Sequence, residues 1–329
     1  MLDVVNKTPF EVALIPNIDK DGYEFATIVI KATFDIKHGK ILTLSEQPMP
    51  VFMGAKYRGE PDTSSLIYET DTAIRKKNTD IVLNGQAYTR DGPKKTTYVG
   101  LRVGDLQKVI QVFGDRQWIN KMGLWKISDL EPFEIMPLIY ENAFGGSDHS
   151  DPHRILSDMR NPVGKGFSLK TDLRLPNLED PNNLIVKRRD RPAPVGFGFI
   201  AAHWQSRQQY AGTYDEKWKK RQAPLLPEDF NEHFFNAAEP GLIANGYLQG
   251  GENVMVKNAS REQDLEFCLP HHQLEIAIWI KGKRQETVPN LDTVIIEPDE
   301  NRLQIVWRAA IPCFRCFLYI DRVRIREKK

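Results

Sequence analysis

Cysteine is scarce in this sequence. Three residues in 329 are too few for a disulfide framework, so a reducing compartment is expected. Long apolar runs are missing too. None approaches the roughly 18 residues needed to span a bilayer, and the opening MLDVVNKTPFEVAL is polar where a signal peptide needs an apolar core. Charge of one sign is not in excess. Lys plus Arg number 45 against 44 for Asp plus Glu, so nothing global draws the chain to nucleic acid or anionic lipid. Together these absences predict a cytoplasmic protein.

Strong catalytic signatures are lacking as well. There is no Walker A sequence, no G-x-S-x-G, no H-E-x-x-H and no EF-hand loop. Gly164-Lys-Gly166 and Gly196-Phe-Gly198 lack the third glycine and the strand-loop-helix frame of a dinucleotide site. A protein that is not an enzyme, with no cofactor and no metal, is the resulting expectation.

What is present is β patterning at both ends. The composition, 41% hydrophobic and 27% charged, is that of an ordinary globular chain, long enough for one large domain or two modest ones. Residues 25–36 alternate: Ala26, Ile28, Ile30, Ala32, Phe34 and Ile36 share one face, with Thr27, Lys31, Thr33 and Asp35 on the other. His38-Gly39 turns this strand into 40–44. Further strands are expected at 80–88, 96–103 and 108–113, with a tight turn at Gly104-Asp105. No element is assigned over 118–137. Strands return at 274–280, 293–297, 303–308 and 314–326, the second and third joined by a turn at 298–301. In the last strand Arg322, Arg324 and Arg326 oppose Val323 and Ile325, a pattern expected to guard a sheet edge. The fold class is therefore mainly β: two sandwich- or barrel-like sheet lobes built from antiparallel hairpins, over 1–136 and 254–329. Long loops and a few short helices over 137–253 bridge them, and 1–329 is treated as a single domain.

The bridge holds the densest aromatic stretch, 204–252. Thr213 and Glu216 have capping-box spacing, which predicts a helix from Tyr214 that stops before Pro224. Pro227 fits the first turn of a second helix, on which Phe230 and Phe234 share a face. Such a segment plugs the open face of a β structure more often than it forms a ligand site.

Three local clusters compete for chemistry. Asp148, His149, Asp151 and His153 crowd one loop, but glycines and Pro152 break any helical spacing and no distant ligand completes a metal site. Cys313-Phe-Arg-Cys316 matches CxxC, yet its surroundings read as strand, where the two thiols point apart. Lys187-Arg-Arg-Asp-Arg191 is a basic run best read as a solvated turn.

The ordered pieces, taken together, carry a resemblance. They are VIKATFDI (29–36), YRGEPDTSSLIYETD (57–71), KKNTDIVLNGQAY (76–88), VFGDRQW (112–118), MPLIYENAFGG (136–146) and NPVGKGF (161–167). LPNLEDP (175–181), PAPVGFGFI (192–200), Trp204 with Arg207, AGTYDEKW (211–218) and LPEDFNEHFFNAA (226–238) follow. LQGGENV (248–254), LDTVIIEPD (291–299) and Trp307-Arg308 complete them. From about Thr8 to about Ile311 the chain resembles the domain-of-unknown-function 2169 family, associated with bacterial type VI secretion. The resemblance implies an adaptor, or effector chaperone, that binds a secreted effector through its PAAR-like or N-terminal region. It further implies that the adaptor promotes loading onto the valine-glycine-repeat/PAAR spike, with no nucleic-acid or membrane partner. Candidate partner-binding residues are Arg58, Phe144, Arg207, Tyr214, Trp218, Phe230 and Phe234. The competing reading of Arg58, Arg116 and Arg207 is burial against carboxylates such as Asp71 and Asp215. Gly145, Gly146, Asn161, Gly164, Gly166, Gly250 and Gly251 are read as structural turns. A metal-dependent hydrolase built on 148–153 and a carbohydrate-binding module are the alternatives.

Overall fold

Three sheets of four to six strands meet in one hydrophobic core. The computed structural model describes residues 2–151, 153–313 and 317–328. The central sheet is built on Glu24–Lys37, a strand of 14 residues. It pairs antiparallel with Glu11–Ile18 and Ile41–Leu44 on one side and with Arg302–Pro312 on the other. Asn290–Glu297 and then Asp80–Leu83, which runs parallel to it, complete this sheet. A second sheet runs in the order Leu178–Glu179, Leu106–Phe113, Thr96–Val103, Asn253–Lys257, Leu265–Cys268. A third has Asp3–Asn6, Ile320–Glu327, Leu274–Ile280 and Lys283–Thr287. None closes into a barrel.

The mainly β class stands, with its antiparallel hairpins and short helices. The boundaries at 136 and 253 do not coincide with the sheets, however. Each sheet takes strands from both ends of the chain: Phe34 lies opposite Leu303, Val4 opposite Val323 and Leu101 opposite Val256. The apolar faces of all three sheets then merge, with Ile30, Leu101, Val254, Ile276 and Ile305 in one buried cluster. Non-local pairing of this kind leaves no trace in local alternation.

Alternation of the kind seen in Glu24–Lys37 is ordinarily that of a half-buried strand with its polar face in solvent. Instead Thr27, Lys31 and Thr33 are buried, because the loop-rich segment 46–78 lies across them. Each polar group finds a partner there: Thr27 Oγ1 donates to Ile74 O, Lys31 Nζ lies 2.9 Å from Asp71 Oδ2, and Thr33 Oγ1 accepts from Met49 N. Burial pushes the Lys31 ammonium below its ordinary pKa, against the pull of Asp71. Satisfied pairs make such burial tolerable.

Two other expectations change. Ile320–Glu327 is an interior strand, flanked by Asp3–Asn6 and Leu274–Ile280, so its arginines guard no edge. Val323 and Ile325 face the core, while Arg322 bonds Asp3 and Arg326 bonds Glu275 on the neighbouring strands. The unassigned region 118–137 contains a hairpin, Trp118–Lys121 with Leu124–Ile127. Its turn has positive φ at Met122 (54°) and Gly123 (83°). This hairpin leans on a small second core of Trp118, Phe144, Leu175 and Ile185. Cys313 is buried and its amide donates to Glu24 O; Cys316 lies outside the described residues, so the CxxC reading is left where the sequence put it.

Candidate functional site

The aromatic segment forms two short helices and two 3-10 turns. Trp204 precedes α1 (Gln205–Gln208) and is wholly buried, edge-on to Tyr140 with ring centroids 5.2 Å apart. α2 (Glu216–Arg221) begins two residues later than the capping-box spacing implied. Its N-cap is Asp215, whose carboxylate accepts the Trp218 amide at 2.8 Å. Thr213 is drawn away because both its amide and its hydroxyl donate to Asp229. The second helix does not start at Pro227. A turn there brings Phe230 N to Pro227 O, and a 3-10 helix, Glu232–Phe235, follows with Asn231 as its cap. Phe230 and Phe234 still meet, ring centroids 5.6 Å apart, and Phe235 joins them.

Against this segment lies an apolar cleft of about 500 Å³. Ile18, Ile74, Leu225, Leu226, Phe234 and Phe235 supply its large apolar side chains. Ile18 is the last residue of Glu11–Ile18, which lies at the outside of the central sheet; Pro16 suits that place, since a proline cannot donate to a further ladder. A second depression of about 330 Å³ shares Ile74, Leu226 and Phe235 with the first and adds Arg75, Lys77 and Glu232. A third, of about 300 Å³, lies under Trp218, Lys217 and Arg221.

Arg207 reaches the cleft but is already committed. It is buried, ion-paired with Glu69, and donates to Ile200 O at 2.8 Å and Phe234 O at 3.1 Å. Its role is to fasten the helical segment to 69–72. The partners expected for the arginines differ in identity. Arg116 pairs with Glu179, Asp71 serves Lys31, and Asp215 caps α2. Arg58 is exposed, its amide bonded to Ser65 O.

Glu232 lies on the rim of the second depression between two cations, Arg75 and Lys77. Burial pushes its carboxyl up, but hydrogen bonds from Lys77 (2.9 Å) and Arg75 (2.6 Å) outweigh this and hold it below the ordinary glutamate range. A depressed carboxylate stabilises the fold above its unfolded pKa, about 4.3, and that contribution is lost as pH falls through the folded value. Melting temperature followed from pH 7 to pH 3 should therefore drop less steeply at the acid end for Glu232→Gln than for the native chain. Parallel curves would show that these contacts are screened at the surface.

The candidates do not converge on one surface. Arg207 and Phe234 share the apolar cleft; Phe230 lines its neighbour and Trp218 the third depression. Tyr214 is exposed and packs on Trp218, whose indole donates to Leu225 O. Phe144 is buried in the second core, so it has no face to offer a partner. Its neighbours explain the turn residues. Gly145 (φ 149°) and Gly146 (φ 94°) run so close to 161–164 that a Cβ on Gly145 would fall 2.1 Å from Asn161 O. Asn161, buried, ties the two segments together by donating to Tyr140 O and Phe144 O. Gly166, Gly250 and Gly251 also have positive φ, whereas Gly164 does not and is needed for space alone. Gly145→Ala should cost on the order of 2–3 kcal/mol from overpacking and backbone strain, measured by urea unfolding. A change under about 0.5 kcal/mol would mean that the two segments separate freely.

The 148–153 loop is held by turns: Asp148 accepts from Ser150 N and Asp151 from His153 N. Among the described residues, no three His, Cys, Asp or Glu side chains converge as a metal site. A polar depression of about 570 Å³ lies elsewhere, between His38-Gly39, 260–263 and 298–301. In it Tyr88 donates to Asp299 at 2.5 Å, and burial with this bond pushes its pKa up to about 12. Sequence reasoning missed Ile18, Leu225 and Leu226. Their signal is weak, being aliphatic residues beside prolines and at a strand end.

Fold and site define a mainly β scaffold whose irregular connections, together with strand ends such as Ile18, build the depressions. The chain belongs to the family described as "Uncharacterized protein conserved in bacteria (DUF2169)", whose model matches residues 21–308. No curated protein and no solved structure matches it.

Proposed function

We propose that this protein is a cytoplasmic adaptor of type VI secretion. It binds an effector, through a PAAR-like or N-terminal region, and promotes loading onto the spike without making or breaking a bond. The observation that carries this reading is the apolar cleft of about 500 Å³ beside the outer strand Glu11–Ile18. An extended segment lying there would bury side chains against Leu225, Leu226 and Phe234, as strand-adding ligands do at a sheet edge. The two charged residues that line the cleft, Arg207 and Glu69, are paired with each other and are not free to act on a substrate. The resemblance to type VI adaptors supplies the pathway, and the cleft supplies a means of grip.

Pull-down of the tagged chain from a bacterium carrying the secretion system, followed by mass spectrometry, tests this. A toxin and a spike subunit should co-purify. Ile18→Asp, at a half-exposed position, should lower their recovery about tenfold with an unchanged melting point, as loss of a central apolar contact does. Recovery unaffected by Ile18→Asp and Leu226→Asp would remove the cleft from the interaction.

A further inference from the structure

The outer strand of the central sheet, Glu11–Ile18, is paired on one side only among the described residues. Hydrogen bonds made by its neighbour, Glu24–Lys37, fix which of its residues turn their main chain outward. The Glu24 carbonyl accepts from Cys313 N and Ile36 N donates to Asn301 O, both on the side of Arg302–Pro312. The Thr33 carbonyl accepts from Ser45 N on the opposite side, beside Ile41–Leu44. Even-numbered residues of Glu24–Lys37 therefore bond towards Arg302–Pro312, and odd-numbered ones towards Glu11–Ile18. The register sets Phe25, Thr27, Val29 and Lys31 opposite Asn17, Ile15, Ala13 and Glu11, whose amides and carbonyls are used within the sheet. Val12, Leu14, Pro16 and Ile18 turn theirs away from it. No main-chain group among the described residues bonds to them.

This edge lacks the usual guards. Edge strands of soluble proteins carry lysine, inward charge or a bulge. Here Val12–Ile18 has no charged residue, and its ladder runs without a register shift. Pro16 withholds one donor and leaves those of Val12, Leu14 and Ile18. These alternate residues also share a side-chain face. Val12 and Leu14 are half-buried against the main core, and Ile18 lines the apolar cleft.

We infer that the edge and the cleft hold one extended segment of a partner polypeptide, added to the central sheet as a further strand. The inference rests on the reading of the chain as a polypeptide binder and names the chemistry of what that site takes. Amides and carbonyls of the segment meet those of Val12 and Leu14, and its alternate apolar side chains cover Val12 and Leu14 and continue into the cleft. The middle of the segment is uncharged, because no side chain from Val12 to Ile18 could pair a charge there. A second copy of this chain fits less well. Two copies paired about a two-fold axis over Val12–Ile18 set Pro16 of each opposite Leu14 of the other, so the missing donor counts twice. A partner segment with an amide at every position meets it once.

The test uses the purified full chain and a fluorescent peptide of alternating valine and threonine, N-methylated along one edge so that it cannot stack on itself. The same peptide methylated along both edges is the control, with identical side chains and no free strand edge. Anisotropy titration should show the one-edge peptide bound about tenfold more tightly than the control. Amide exchange at Val12 and Leu14 should slow about tenfold on binding, whereas Ala13 and Ile15 are protected already in the free chain. Leu14→Pro removes an outward amide and should lower affinity about tenfold. Val12→Lys, a charge at a half-buried edge position, should do the same with unchanged near-UV circular dichroism. Val288→Ser, an exposed apolar residue elsewhere, should change nothing. Equal binding of the two peptides, or binding indifferent to Leu14→Pro and Val12→Lys, overturns the inference. So does a dimer of the chain alone, seen by sedimentation and dissolved by Leu14→Pro, which would assign the edge to a second copy. No effector is needed for these measurements. Effector capture that persists in both edge variants would leave the adaptor reading standing without the added strand. Peptide binding without effector capture would leave the added strand standing without the adaptor reading.

Discussion

Asp80→Ala should lower the stability of the folded chain by about 3–5 kcal/mol, the cost of stranding a buried charge. Asp80 is fully buried and receives Lys76 Nζ at 2.7 Å, Asn236 Nδ2 at 2.9 Å and Ala237 N at 2.9 Å. Lys76 also reaches Thr293 Oγ1 at 2.7 Å, on the strand beside Asp80. One carboxylate therefore joins the central sheet to the end of the aromatic segment. Its removal leaves an ammonium inside the protein with only a hydroxyl for company. Urea unfolding gives the measurement, and Asp80→Leu combined with Lys76→Met provides the control. The pair of apolar replacements should recover most of the loss, because the desolvation penalty disappears with both charges. A loss below about 1 kcal/mol in Asp80→Ala would mean that water reaches Lys76 and that the hub is not closed.

Trp204→Ala should cost about 3–5 kcal/mol as well, through a different mechanism. The side chain is wholly enclosed, packed edge-on against Tyr140, and belongs to the main core. Cutting it to alanine leaves a cavity that the surrounding sheets cannot collapse into. Trp218 is the comparison: it is only half-buried, at the outer end of the segment, and hydrogen-bonded to Leu225 O. Trp218→Ala should cost clearly less, with loosening of 214–225. Equal losses at the two positions would place Trp218 in the core. A loss at Trp204 under about 1 kcal/mol would deny the segment its role as a plug.

Several features of the fold were legible because they are decided locally. The strand at 25–36 and the His38-Gly39 turn follow from alternation and from glycine at positive φ, and both stand within a residue or two of their expected bounds. The 96–103 strand and the turn at 298–301 stand likewise. The turn at Met122-Gly123 was not legible, since methionine is not a residue that a left-handed turn position announces. The capping of α2 failed for a tertiary reason: Asp229, sixteen residues away, takes the threonine that the spacing alone assigned to the helix. Phe144 was singled out as an aromatic in a glycine-rich turn, and the same glycines press the backbone so close that the ring is buried. Arg207 was seen, but its partner Glu69 lies in a loop that no local pattern connects to it.

The sequence by itself determined the β class, most strand centres, the residues able to make tight turns and the family to which the chain belongs. Those depend on backbone period, side-chain bulk and order along the chain. Only the tertiary structure decided that strands from the two ends share sheets, that the polar face of Glu24–Lys37 is buried, and that Arg188 of a distant basic turn packs on Trp125 of a hairpin. Such outcomes turn on which apolar faces and which charges can satisfy one another in space, and many pairings are compatible with the same local pattern.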